Sequence, residues 1–86
     1  MRKVWSDTAW DGYLYWQITD RKILARINEL VKDIERNGNK GIGKPEPLKY
    51  RRQGYWSRRI DGANRLVYKI TGEQIEIGVC RALPIK

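Results

Sequence analysis

Between Lys49 and Arg65 the chain carries Lys49, Arg51, Arg52, Arg58, Arg59 and Arg65 against one acid, Asp61, the densest charge in the sequence. Tyr50, Tyr55 and Trp56 are interleaved with these cations. Guanidinium groups grip phosphates and aromatic rings stack on unpaired bases, so such a mixture suits RNA; for Trp56 itself, core packing is the reading. Just upstream, Glu46 stands between Pro45 and Pro47. The two prolines restrict the backbone on either side and can aim the carboxylate at a fixed point. A carboxylate held in this way can take the proton from a ribose 2′-hydroxyl while neighbouring Arg groups stabilise the charge that builds at phosphorus. That is transesterification without a metal. Taken alone, a Pro-Glu-Pro triplet also fits a plain rigid loop.

The composition removes most other chemistries. Histidine is absent and Cys80 is the one cysteine, which excludes the usual zinc sites, Ser-His and Cys-His nucleophile systems and a His-His ribonuclease mechanism. Catalysis must then rest on carboxylates, Arg, Lys or Tyr, and no metal or cofactor is expected. Cys80 has no partner for an internal disulfide, so it reads as a core residue in a cytoplasmic protein. At 86 residues the expectation is one domain over residues 1–86. With 18 Lys plus Arg against 10 Asp plus Glu, a formal charge of +8 attracts a polyanion and leaves RNA, DNA and an acidic protein open. No apolar run approaches the roughly 20 residues of a membrane span, and "MRKVWSDTAW" lacks the apolar stretch of a signal peptide.

The elements that must position these residues follow from spacing. "RKVWS" predicts a first strand. Ser6 predicts the cap of a helix over "DTAWDGYLYWQI", in which Trp10, Tyr13, Leu14 and Gln17 fall at helical spacing. Thr19 repeats the capping signal before a second helix, where Ile23, Ile27, Leu30, Val31 and Ile34 form one apolar stripe that ends at Asn37 and Gly38. "GNKGIGKPEP" is a loop leading into a sheet. Thereafter "YWSRRID", "NRLVYKI" and "QIEIGVCR" alternate with turns at "DGAN" and "TGEQ", an antiparallel meander. Parity puts Leu66, Tyr68 and Ile70 on one face, matched by Ile75, Ile77 and Val79, and turns Arg65, Val67 and Lys69 the other way. The expected fold is α+β, with two N-terminal helices packed on one face of a small antiparallel sheet and a basic open face opposite. A DNA-binding reading is disfavoured, because no helix-turn-helix is visible and the basic cluster falls on strands.

In order and at matching spacing, "VWSDTAWDGYLYWQITD", "INELVKDI", "GIGKPEPLK", "GYWSRRI", "RLVY" and "CR" resemble the YoeB (Txe) toxins of toxin–antitoxin modules, within the RelE-like group. The resemblance runs from about residue 3 to Arg81. It implies a RelE-like fold and a ribosome-dependent endoribonuclease that cuts messenger RNA in the A site, leaving a cyclic phosphate or its 3′-phosphate product. It also implies a YefM-like antitoxin as partner, and a homodimer. On this resemblance Glu46 is the catalytic base, Arg59 and Arg65 are catalytic and hold phosphate, and Lys49 binds RNA.

The tail departs from the family pattern. Where such toxins close with a histidine as general acid and a tyrosine that places the RNA, Leu83 and Pro84 stand within "ALPIK". General acid catalysis is typically worth about a hundred-fold to ten-thousand-fold, so the expectation is an impaired nuclease. The alternative is a catalytically silent module that binds ribosome or antitoxin. A one-frame shift is one origin for the tail, a natural variant the other: bases encoding His-Tyr-Gln and a stop, read out of register with G in front and A behind, give Ala-Leu-Pro-Ile-Lys. A genomic copy encoding this tail in frame would contradict the frameshift.

Overall fold

A computed structural model describes residues 1–49 and 54–82. Of the residues singled out in the sequence, Tyr50, Arg51, Arg52, Leu83 and Pro84 lie outside the described residues, as do Ile85 and Lys86.

Helix α1 (Asp7–Thr19) begins where expected: the Ser6 hydroxyl accepts from the Ala9 amide, with Asp7 in the first turn. Helix α2 (Arg21–Asn37) is capped by Asp20 rather than Thr19, because the Asp20 carboxylate reaches the amides of Lys22 and Ile23. At its far end Gly38 takes φ 64 and closes the last turn onto Ile34. The stripe read on α2 is buried as expected: Ile27, Leu30, Val31 and Ile34 enter the core, with Ile23 partly covered at its edge. Each fully buried side chain of this kind contributes about 1.5–3 kcal/mol.

Helix α1 differs from its reading. Its buried residues are Ala9, Gly12 and Trp16, while Trp10 and Leu14 are exposed and Tyr13 packs at the core's margin. Apolar residues occupy both sides of this helix, so periodicity alone does not choose a face. The small residues decide it. A Cβ on Gly12 would stand 3.0 Å from Cys80 Sγ, so the helix approaches the sheet through Ala9 and Gly12 and seats Trp16, whose indole N–H donates to Cys80 O at 2.8 Å.

The sheet has five strands in the order β1-β5-β4-β3-β2: β1 (Arg2–Trp5), β2 (Glu46–Pro47), β3 (Trp56–Arg59), β4 (Arg65–Thr71) and β5 (Gln74–Val79). The meander β2 to β5 is antiparallel as expected, whereas β1 runs parallel to β5, making the sheet mixed. Both expected turns are present. Asp61 Oδ1 accepts from the amides of Ala63 and Asn64, and Gly72 takes φ 59 between β4 and β5. Leu66, Tyr68, Ile75 and Ile77 face the helices. Val79 does not follow them: a register shift sets Tyr68 opposite Ile77 but Val67 opposite Val79, so the extra residue Gly78 turns Val79 to the other face. Cys80 then returns to the helix side, buried, and burial pushes its thiol up to about 11.

Candidate active site

Cross-strand partners share a face, and alternate residues along a strand do too. Glu46 pairs with Ser57, Ser57 with Val67, and Arg59 with Arg65. All five therefore lie on the side away from the helices. There the Glu46 carboxylate stands 3.7 Å from Arg65 Nη1, with Glu46 exposed and Arg65 half-buried. Arg59 is exposed beside Arg65. Lys69 shares this face and lies 5.7 Å over the Tyr55 ring. Three of the four residues assigned in the sequence are thus brought together. Lys49 is exposed just past β2 and, among the described residues, makes no hydrogen bond or ion pair to Glu46 or Arg65.

The loop that delivers Glu46 is fastened from the opposite face. Arg58, counted in the sequence with the basic cluster suited to RNA, is fully buried on the helix side, and this corrects its place in that cluster. All five of its N–H bonds are used. Nη1 donates to Asp33 Oδ2 and to Ile42 O at 3.0 Å, Nη2 to Gly38 O at 2.6 Å and Lys40 O at 2.8 Å, and Nε to the Tyr68 hydroxyl at 3.2 Å. A single guanidinium thereby holds three carbonyls of the segment after α2, as its forked geometry permits and a lysine's does not. The next residue completes the grip: the Arg59 amide donates to Gly43 O at 2.7 Å. Close approach explains two glycines. At Gly41 (φ 126) a Cβ would collide with the Asp33 carboxylate, and at Gly43 (φ 79) it would lie 2.8 Å from Leu30 Cδ2. Lys44 then takes a positive φ of 50 before Pro45, and Glu46 enters the edge strand. Its proline neighbour Pro47 is tolerated because the strand is at the sheet edge.

The Asp33 carboxyl is held below the ordinary carboxylate range, first by its hydrogen bond from Arg58 and further by the Ile42 amide and Asn37, against the opposing effect of desolvation. The same pair leaves its mark on Tyr68, whose hydroxyl is raised by burial despite the guanidinium beside it. Neither Asp33 nor the burial of Arg58 was read from the sequence, yet the signal was present. Strand parity groups Arg58 with Trp56 and Ile60, both apolar and facing the core, and Asp33 borders the stripe of Leu30 and Ile34. Trp56 packs against the core, as read. Ser57 was also missed. It lies between Glu46 and Val67 in the strand register, its Oγ buried and, among the described residues, without a hydrogen-bond partner.

Comparison with known proteins places this geometry. A family model of the YoeB-like toxin of bacterial type II toxin–antitoxin systems matches residues 5–83. Toxin YoeB of Escherichia coli strain K12 is 52% identical over 81 residues, covering 94% of this chain and 96% of the relative. A YoeB/ParE toxin from Agrobacterium tumefaciens superposes with a TM-score of 0.94 at 42% identity, over 98% of this chain and 100% of that one. A YoeB dimer from Staphylococcus aureus gives 0.92 at 44%, and a YoeB–YefM complex from the same organism 0.92 at 42%, each over 98% of both chains. Two helices over a five-stranded sheet, an outward Glu46–Arg65 pair and agreement along nearly the whole chain lead to one assignment: the protein belongs to the YoeB-like toxins of bacterial type II toxin–antitoxin systems.

Proposed function

We propose that this toxin acts as an endoribonuclease on messenger RNA in the ribosomal A site, with Glu46, Arg59 and Arg65 as its catalytic residues. The observation that carries the reading is the Glu46 carboxylate beside the Arg65 guanidinium on an open sheet face, with Arg59 across the strand. In this scheme Glu46 removes the proton from the 2′-hydroxyl, and O2′ attacks the adjacent phosphorus. Arg65 and Arg59 stabilise the negative charge gathered on the phosphoryl oxygens. Lys49 holds the RNA backbone. The bond from phosphorus to the 5′-oxygen then breaks, leaving a cyclic phosphate that can open to a 3′-phosphate. No cofactor enters the scheme.

The departing 5′-oxygen needs a proton, and Leu83 has none to give. The chain should therefore cut slowly, by the hundred-fold or more that a general acid supplies. The companion antitoxin is YefM-like, as in the S. aureus complex, and the toxin pairs with itself, as in the S. aureus dimer. Its site of action is the cytoplasm, where the ribosomes are; among the described residues no helix is long and apolar enough to cross a membrane. The tail favours one other reading, a catalytically silent module that binds ribosome or antitoxin.

Cleavage of a defined message on programmed ribosomes by this chain and by its Leu83→His/Pro84→Tyr variant tests the proposal. A gain of a hundred-fold or more identifies the tail as the lesion in a nuclease. Equal cutting by both would move the proton donor elsewhere, and no cutting by either would favour the silent module.

A further inference from the structure

Helix α1 holds the chain after the sheet has ended. Strand β5 stops at Val79, and a chain near its terminus is poorly ordered unless something ties it down. Here α1 ties it at successive points. The Ser6 hydroxyl at the helix cap donates to Gly78 O at 2.8 Å, the Cys80 thiol donates to Ala9 O at 3.3 Å, and the Trp16 indole N–H donates to Cys80 O. One residue further, Arg81 Cζ lies 3.7 Å from the centre of the Tyr15 ring and 5.9 Å from that of Trp16, a cation–π seat made by two neighbouring rings. Those rings brace each other edge-on, with centroids 4.9 Å apart. Gly12 opens the passage, because a Cβ there would stand 3.2 Å from Arg81 Cγ.

The fastened segment is directed at the site. Strand β5 is antiparallel to β4 with Val79 opposite Val67, so the chain leaving Val79 heads for the end of β4 at which Arg65 stands. Position 83, where the nuclease reading needs its proton donor, is two residues past Arg81. Two residues span at most about 7 Å, so a seat at Arg81 restricts the space that position 83 can sample. We propose that Tyr15 and Trp16 are positioning residues which, by seating Arg81 and Cys80, set where position 83 stands relative to the phosphate being cut. Neither ring needs to touch RNA. This inference rests on the endoribonuclease reading above and deepens it: the arm is intact in this chain, and the side chain at position 83 is what lacks a proton. Misplacing a reacting group by about 1 Å can cost on the order of a hundred-fold in rate, so the seat should matter to cleavage more than to folding.

Single-turnover cleavage of a defined message on programmed ribosomes tests it, in the Leu83→His/Pro84→Tyr chain with Tyr15→Leu or Tyr15→Phe added and ribosome pelleting beside each. Tyr15→Leu should slow cleavage about ten-fold to a hundred-fold with pelleting unchanged, and Tyr15→Phe, which keeps the ring, should match its parent. In the chain that retains Leu83, Tyr15→Leu should slow residual cleavage no further, because there is no donor to misplace. Release of residues 82–86 by trypsin, which cuts after Arg81, reads the seat without activity: Tyr15→Leu should speed it and Tyr15→Phe should not. If the tail-restored chain does not cut, the nuclease reading falls and this inference with it. If it cuts, and Tyr15→Leu cuts as fast, slows the Leu83 chain equally, or is matched by Tyr15→Phe, the positioning role alone is overturned. Unchanged tryptic release in Tyr15→Leu overturns the seat as well.

Discussion

Arg58 and Arg59 are consecutive residues of one strand, and the sheet sends them to opposite fates. Arg58 points to the helices, is fully buried, and spends every donor on Asp33, Tyr68 and three loop carbonyls. Arg59 points outward beside Arg65 and remains exposed. The first holds the loop that carries Glu46, and the second stays open to solvent beside Arg65. Density of charge in a sequence therefore does not measure the charge available to a ligand. Strand parity sorts one from the other.

The largest way to break this contrast is to remove the buried partner. Arg58→Ala leaves Asp33 and several carbonyls without their donor, and should destabilise the protein by about 3–5 kcal/mol, lowering the melting temperature by on the order of 15–30 °C. Arg58→Lys should recover little of that, having no fork to span the loop. Arg59→Ala should change stability by no more than about 0.5 kcal/mol. Calorimetry of the three variants checks the ranking, and similar melting of Arg58→Ala and Arg59→Ala would contradict it.

On the outward face the effect should appear in activity. In the tail-restored background, Arg65→Ala should cost about a hundred-fold or more in message cleavage, with unfolding unchanged, and Lys49→Ala should weaken binding of RNA or ribosome as well. Single-turnover rates and ribosome pelleting separate the two; full activity in Arg65→Ala would remove it from the site.

A smaller effect is set by pH. Asp33 in the folded protein has its carboxyl lowered, chiefly by Arg58. A folded value below the unfolded one of about 3.9 adds stability above that pH and loses it as pH falls through the folded value. Stability should therefore drop on acidification below about pH 4. Asp33→Asn should flatten part of that slope, leaving the shares of Asp61, whose carboxyl is lowered first by the Ala63 amide, and of Glu35, lowered first by Lys3. Denaturant titrations across the acid range report the slope, which should remain unaltered in Asp33→Asn only if the Arg58 bond contributes nothing.

The smallest effect belongs to Ser57. Its hydroxyl is buried and, among the described residues, unpaired, so Ser57→Ala should leave stability within about 1 kcal/mol or raise it. A larger loss would show that the hydroxyl is bonded in solution.

How much of this was readable depended on how local the cause was. The α2 stripe, the Ser6 cap and the Asp61 and Gly72 turns are set by neighbouring residues, and they appear where spacing places them. Other features are decided at long range. The parallel docking of β1 on β5 joins the two ends of the described fold, and the shift at Gly78 that turns Val79 outward depends on register across strands. The face of α1 was ambiguous because Trp10, Leu14 and Ile18 are as apolar as the side that packs. In the site, Glu46, Arg59 and Arg65, assigned on the family resemblance, lie on one face of the sheet. The part played by Arg58 was hidden by its company among cations, though the parity it shares with Trp56 and Ile60 pointed inward.

In the proposed mechanism the outward Glu46 acts as base while the buried Arg58 only holds its loop. Message cleavage on programmed ribosomes by the Leu83→His/Pro84→Tyr chain with and without Glu46→Ala, alongside thermal unfolding of both, separates the two roles. Cleavage should be at least a hundred-fold slower with Glu46→Ala, with equal melting. Undiminished cleavage by a folded Glu46→Ala variant would contradict it.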